Sequence, residues 1–167
     1  NVRVYEDRPD LLFELFAAAV KESPGSEFAV FPESGVRRTY REVANRVDQL
    51  VEGFLSQGIS VGDRIALILD SRVEFVESIL AAAKIGAVIS PLNTRHSPEE
   101  IQALLAETNP DLVIVGSAYV QKLAGSNYEP PSDQTYTVGG TDPKSSYEEL
   151  PQSETRTARP ANVTSED

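Results

Sequence analysis

The residues with the most chemical promise in this chain stand together at Pro91-Leu92-Asn93-Thr94-Arg95-His96. Arg95 offers a planar fork of donors that suits a phosphate or a carboxylate. The single histidine of the sequence follows it. Upstream, Ala87 to Pro91 reads as an apolar strand; downstream, Ser97-Pro98-Glu99-Glu100 reads as the opening of a helix. Polar groups between the carboxyl end of a strand and the N-terminus of a helix lie where open α/β sheets receive anionic ligands. Two readings of Arg95 are open at this point. It is an anion contact, or it is a solvated loop residue paired with Glu99 or Glu100.

Other chemistries are excluded more firmly. There is no cysteine, so a Cys–His nucleophile is impossible, and one histidine cannot build a histidine-based metal cluster. The sequence contains no G-x-x-x-x-G-K-[ST] loop, no G-x-G-x-x-G and no G-x-S-x-G elbow. Asp63 and Asp70 fall at opposite ends of one strand and cannot act as a carboxylate pair. They read instead as a turn residue and a helix cap, and Glu99 and Glu100 as acids favoured by the helix dipole. Gly139-Gly140 reads as a turn.

The elements that must position Arg95 are legible as periodicities. A helix is expected over Asp10 to Glu22, opened by Pro9 or Asp10 and stopped by Ser23-Pro24-Gly25. Its apolar face is Leu11, Leu12, Leu15, Phe16, Ala19 and Val20. Phe28 to Phe31 and Val36 to Tyr40 read as a hairpin around Pro32-Glu33-Ser34-Gly35. Thr39 and Glu42 form a capping box for a helix to about Gln57, closed by Gly58. Val43, Val47, Leu50, Val51 and Phe54 are its core face. Arg64 to Leu69 is a continuous apolar strand of the kind buried on both sides. Asp70-Ser71 caps a helix from Arg72 to Lys84, with Val73, Val76, Ile79, Leu80 and Ala83 inward and Gly86 at its end. After the Ala87–Pro91 strand come a helix from Ser97 to Ala106, a strand at Leu112–Val115, a further helix at Ala118–Leu123, a strand at Gln134–Val138 and a helical turn at Ser146–Leu150. Strands and helices in alternation with short links predict an α/β fold: a largely parallel sheet flanked by helices on both faces.

The sequence divides into an N-terminal arm at 1–9, an α/β subdomain at 10–150 and a linker or tail at 151–167, where Val163 is the one large apolar side chain. A length of 167 residues with 40% hydrophobic and 25% charged residues fits one globular core. A net charge of -11 disfavours nucleic acid and anionic membrane surfaces as partners. No apolar run approaches the ~18 residues of a membrane span. Neither a signal pattern nor a cysteine is present, which fits a cytoplasmic location. Methionine is absent even at position 1, so the first residue is expected not to be the natural start.

Five of these stretches also form a recognisable series. Thr39-Tyr40-Arg41-Glu42 resembles the Thr-Tyr-x-Glu-Leu motif of the adenylate-forming (AMP-binding) superfamily, with Val43 in place of leucine. Gly62-Asp63-Arg64-Ile65-Ala66 resembles its Gly-Asp-Arg-Val-Ala strand entry. Asp70-Ser71-Arg72-Val73-Glu74-Phe75 resembles its Asn-Ser-x-Glu-Phe helix start. Ala83-Lys84-Ile85-Gly86-Ala87 through Pro91-Leu92-Asn93 resembles its Lys-Ala-Gly-Ala…Pro-Leu-Asn segment, and Ser97-Pro98-Glu99-Glu100-Ile101 the Thr-Pro-Glu-Glu-Leu helix after it. The series covers about positions 10 to 118, and the Pro91–Arg95 run is most similar to the acyl-CoA synthetase branch.

The resemblance implies a parent enzyme that joins a carboxylic acid to CoA through an acyl-adenylate, using ATP and Mg. The Ser/Thr/Gly-rich phosphate loop of such enzymes follows a stretch like Asn162–Asp167. The resemblance therefore implies an N-terminal portion, ending before that loop and inactive by itself, with no catalytic residue and no metal ligand of its own. It also implies a role for Arg95, since an arginine after Pro-Leu-Asn-x touches the nucleotide phosphate of CoA in some relatives. The competing expectation is a self-sufficient, non-catalytic α/β domain that senses a ligand or forms a homodimer. A flavodoxin-like nucleotide binder would need a phosphate loop after the first parallel strand, where Asp70-Ser71-Arg72 stands.

Overall fold

The computed structural model describes residues 11–124, 134–140 and 146–150. The expected arm and the expected tail lie outside these residues. So does Asp10.

Helix α1 (Leu12–Glu22) leads into the hairpin β1 (Glu27–Phe31) and β2 (Val36–Thr39). Helix α2 (Tyr40–Ser56) begins at the expected capping box: the Glu42 backbone N–H donates to Thr39 Oγ1 at 3.3 Å, and the Thr39 N–H donates to the Glu42 carboxylate at 2.7 Å. Then come β3 (Arg64–Ile68), α3 (Val73–Ile85), β4 (Val88–Pro91), α4 (Pro98–Thr108) and β5 (Leu112–Gly116). A 3₁₀ helix (Ser117–Leu123), β6 (Thr135–Val138) and a 3₁₀ turn (Tyr147–Glu149) complete the described elements.

Strands β4-β3-β5-β6 form one sheet in that order, and all three pairings are parallel. Alternation along each strand sorts side chains to two faces. Ile65, Leu67, Leu112, Ile114, Tyr136 and Val138 meet α2 and α3; Ala66, Ile68, Val113 and Val115 meet Ile101 and Leu105 of α4. The expected α/β fold with helices on both faces is what the chain forms. Gly86 ends α3 at φ 77°, a left-handed conformation that a side chain would strain, and so turns the chain directly into β4.

Three expectations need correction. Phe16 and Val20 of the expected α1 face do turn inward, joined by Phe13, and Phe16 packs edge-on against Phe28, but Leu12 and Leu15 of that face are 54% and 57% exposed. The inward stripe is thus rotated from Leu12 and Leu15 toward Phe13. The N-cap of α3 is Arg72, with no side-chain cap, so Asp70-Ser71 does not cap it. Its buried face is Val73, Glu77, Ser78, Leu80, Ala81, Ala82 and Ile85, with Val76, Ile79 and Ala83 only half-buried. The apolar strand expected at Ala87–Pro91 forms β4 at the sheet edge, where its Val88 is 49% exposed. Proline at its end fits an edge, where a missing donor costs nothing.

Candidate functional site at the carboxyl end of the sheet

The sheet order places a topological switch between β3 and β5, since the chain leaves β3 for β4 on one side and returns to β5 on the other. Asp70 follows β3 and Tyr119 follows β5. The Tyr119 hydroxyl donates to the Asp70 carboxylate, which bridges that crevice and holds the phenol's pKa above its usual value. Gly116 makes room for the ring: a Cβ there would stand 3.2 Å from it. The open space is therefore displaced toward β4. A cleft of about 480 Å³ lies beyond β3 and β4, between the loop at Asp70-Ser71 with Phe75 and the loop Pro91–Arg95.

The 93–96 loop is held from several sides. The Asn93 side chain accepts from the Arg95 backbone N–H at 3.0 Å, and the Asn93 carbonyl accepts from His96 N–H at 3.1 Å. Lys122 Nζ donates to the carbonyls of Thr94 at 2.8 Å and His96 at 2.6 Å. His96 Nδ1 lies 3.3 Å from Glu100. Glu100 in turn accepts from the Ser97 N–H at 2.8 Å, while the Glu100 N–H donates to Ser97 Oγ, a second capping box. That backbone hydrogen bond, reinforced by His96, holds the Glu100 pKa below the usual glutamate value.

Arg95 is exposed, and among the described residues its guanidinium joins no ion pair. Glu100, one of its two expected partners, is engaged by Ser97 and His96. The loop is thus fixed by its own backbone and by Lys122, and the arginine is left projecting at the cleft edge. Such an arrangement can receive one anionic group without first breaking a salt bridge. His96 contributes to the loop rather than to the cleft.

Asp63 accepts from the Ser60 N–H and hydroxyl at 2.7 and 2.8 Å, as a turn residue should. Glu99 and Glu100 stand in the first turn of α4. Lys122 and Tyr119 were missed by sequence reasoning. They come from a 3₁₀ segment whose residues carry no motif, and only their tertiary placement brings them to this loop. Among the described residues no group of three or more His, Asp or Glu side chains is arranged to hold a metal ion. None of the described helices is long and apolar enough to cross a membrane.

Comparison with known proteins agrees with this architecture. A family model described as AMP-binding enzyme matches residues 16–167. The long-chain-fatty-acid–CoA ligase FadD13 of Mycobacterium tuberculosis is 34% identical over 119 residues, which is 70% of this chain and 24% of that protein. The 4-coumarate–CoA ligase CCL1 of Humulus lupulus is 32% identical over 123 residues, 74% of this chain and 19% of that one. Among solved structures, a Mycobacterium tuberculosis fatty acyl CoA synthetase superposes with a TM-score of 0.72 at 28% identity, over 84% of this chain and 28% of that chain. The N-terminal domain of FACL13 from the same organism gives 0.71 at 26% identity, over 85% and 35%. The chain spans about a quarter of the length of the first of these relatives.

Proposed function

Because this chain belongs to the AMP-binding enzyme family, we propose that it forms the N-terminal portion of an ATP-dependent acyl-CoA ligase. In that reading the parent enzyme converts a carboxylic acid and ATP into an acyl-adenylate and pyrophosphate, then transfers the acyl group to the thiol of CoA. The observation that carries the reading is the family match across residues 16–167, supported by relatives that are themselves acid–CoA ligases.

The residues present fit one part of that chemistry. Arg95, rigidly presented and without an ion-pair partner among the described residues, suits a phosphate of the CoA nucleotide, which its fork can grip bidentately. The residues do not fit ATP and Mg. The 167 residues contain no glycine-rich phosphate loop, and the described ones offer no carboxylate cluster for a divalent ion. We therefore assign adenylation to groups other than these, and we expect this chain by itself to perform neither half-reaction. Its part is to scaffold: a parallel sheet with a firm loop at its carboxyl edge.

The test is to read the gene on the far side of the codon for Asp167. Continuation into a Ser/Thr/Gly-rich loop ending in Pro-Lys-Gly supports the proposal. A stop codon at that point refutes it in favour of a self-sufficient domain.

A further inference from the structure

One buried acid takes no part in the site above. Glu77, on α3, is only 4% exposed and lies at the floor of a cleft of about 210 Å³. The 3₁₀ turn Tyr147–Glu149 sits over it, anchored by Tyr147 and Leu150, both essentially fully buried. Among the described residues the cation within 4 Å of Glu77 is Arg46 of α2, and that guanidinium is shared. Its Nη2 donates to the Glu148 carboxylate at 3.0 Å and to the Tyr147 carbonyl at 3.5 Å, its carbon stands 5.1 Å from the Tyr147 ring centroid, and its Nε is 3.8 Å from Glu77. The arginine thus serves the turn at close range and the buried acid at long range.

The remaining neighbours of Glu77 offer little to a buried charge. The Tyr147 hydroxyl lies 3.5 Å away, and that hydroxyl also contacts Ser78 Oγ and the Glu74 carbonyl at 3.4 Å each. Arg38 of β2 is a weak, more distant positive influence, and Glu42 is occupied by its capping box. Glu74, tied to Arg72 at 2.8 Å, and Glu148 are like charges. A carboxylate placed here, with its one strong partner held elsewhere, is under-compensated. Burial and the sharing of Arg46 thus disfavour the charged form of Glu77.

We propose that Glu77 is a proton-operated latch on the Tyr147–Leu150 turn. Neutral, it leaves Arg46 free to clamp Glu148 and the tyrosine ring. Ionised, it draws the guanidinium toward α3 and, with Glu74, repels Glu148, so that the turn loosens from α2 and α3. Burial, aided by Glu74 and Glu148, pushes the Glu77 pKa up to about 7 against the opposing pull of Arg46 and Arg38, which puts the switch in the physiological range.

Amide hydrogen exchange on the 167-residue chain tests this directly. The Glu149 N–H donates to the Ser146 carbonyl and the Leu150 N–H to that of Tyr147, so both report on the turn. After correction for intrinsic base catalysis, their protection is expected to fall at least about fivefold between pH 6 and 8 in the wild type, because the Glu77 carboxyl gains its charge across that interval. In Glu77→Gln, which keeps shape and stays neutral, protection is expected to be flat. Constant protection in the wild type overturns the proposal, as does a step that survives in Glu77→Gln. Should the variant not fold, the wild-type Glu77 carboxyl can be titrated by carbon-13 NMR: a midpoint near 7 supports the latch, and one near 4.5 overturns it.

Discussion

Tyr147 makes the sharpest stability prediction, because two substitutions there separate packing from hydrogen bonding. The side chain is fully buried among α2, α3 and the sheet face carrying Tyr136 and Val138. Tyr147→Ala leaves an aromatic-sized void, and such truncations cost about 3–5 kcal/mol. The hydroxyl is a different matter. Its three contacts, at 3.4, 3.4 and 3.5 Å, lie at the outer limit for O–H donors and acceptors. Ser78 Oγ keeps its shorter bond, 2.7 Å to the Glu74 carbonyl, when the phenol is gone. Tyr147→Phe is therefore expected to cost about 0.5–1 kcal/mol. Against a domain stability of roughly 5–15 kcal/mol, the alanine variant loses a large share and the phenylalanine variant little. Urea unfolding followed by far-UV circular dichroism, near pH 6, measures both. A phenylalanine variant as damaged as the alanine variant would show that the hydroxyl network, not the ring, holds the turn. An alanine variant within about 1 kcal/mol of wild type would show that the turn is not docked at all.

Three further outcomes follow from the same geometry. Thr39→Ala removes the oxygen that receives the Glu42 N–H and should cost about 1 kcal/mol in the same urea assay, with Thr39→Ser restoring most of it. For Glu77, the folded pKa is raised from 4.5 to about 7, so the folded state holds the extra proton between those values. Stability attributable to this group is fully present below about 4.5 and is lost as pH rises through 7, up to about 3 kcal/mol. Glu77→Gln should thus gain on the wild type in urea midpoint as pH rises from 5 to 8, and a constant difference would contradict the burial argument. In the full-length parent, Arg95→Ala should raise the apparent KM for CoA about tenfold or more while leaving those for ATP and acid near wild type. An unchanged CoA response would remove Arg95 from the site.

Where local chemistry decides structure, the sequence was readable. The hairpin, both capped helices and the strand at Leu112 follow from turn residues, caps and apolar runs, and each stands within a residue or two of its expected bounds. The errors came where tertiary competition decides. On α1 the expected face was right at Phe16, which Phe28 and Tyr40 meet, and wrong at Leu12 and Leu15, whose place on the core side Phe13 takes. On α3 the polar residues Glu77 and Ser78 lie inward because Tyr147, some seventy residues on, supplies a polar tip, and no local periodicity announces that. Asp70 looked like a cap but is taken by Tyr119. At the candidate site, the Asn93 turn was implicit in its residue type, whereas the two bonds from Lys122 had no sequence signal.

The central claim is that this chain is the scaffold-bearing portion of a carboxylate-activating enzyme and does not itself activate a carboxylate. Acid-dependent exchange of radiolabelled pyrophosphate into ATP measures that step alone. Run side by side on the 167-residue chain and on the protein encoded by its whole gene, with a panel of aliphatic and aromatic acids, the longer protein is expected to catalyse exchange with at least one acid and the chain with none. Exchange by the chain itself, or none by the longer protein with any acid in the panel, would contradict the account.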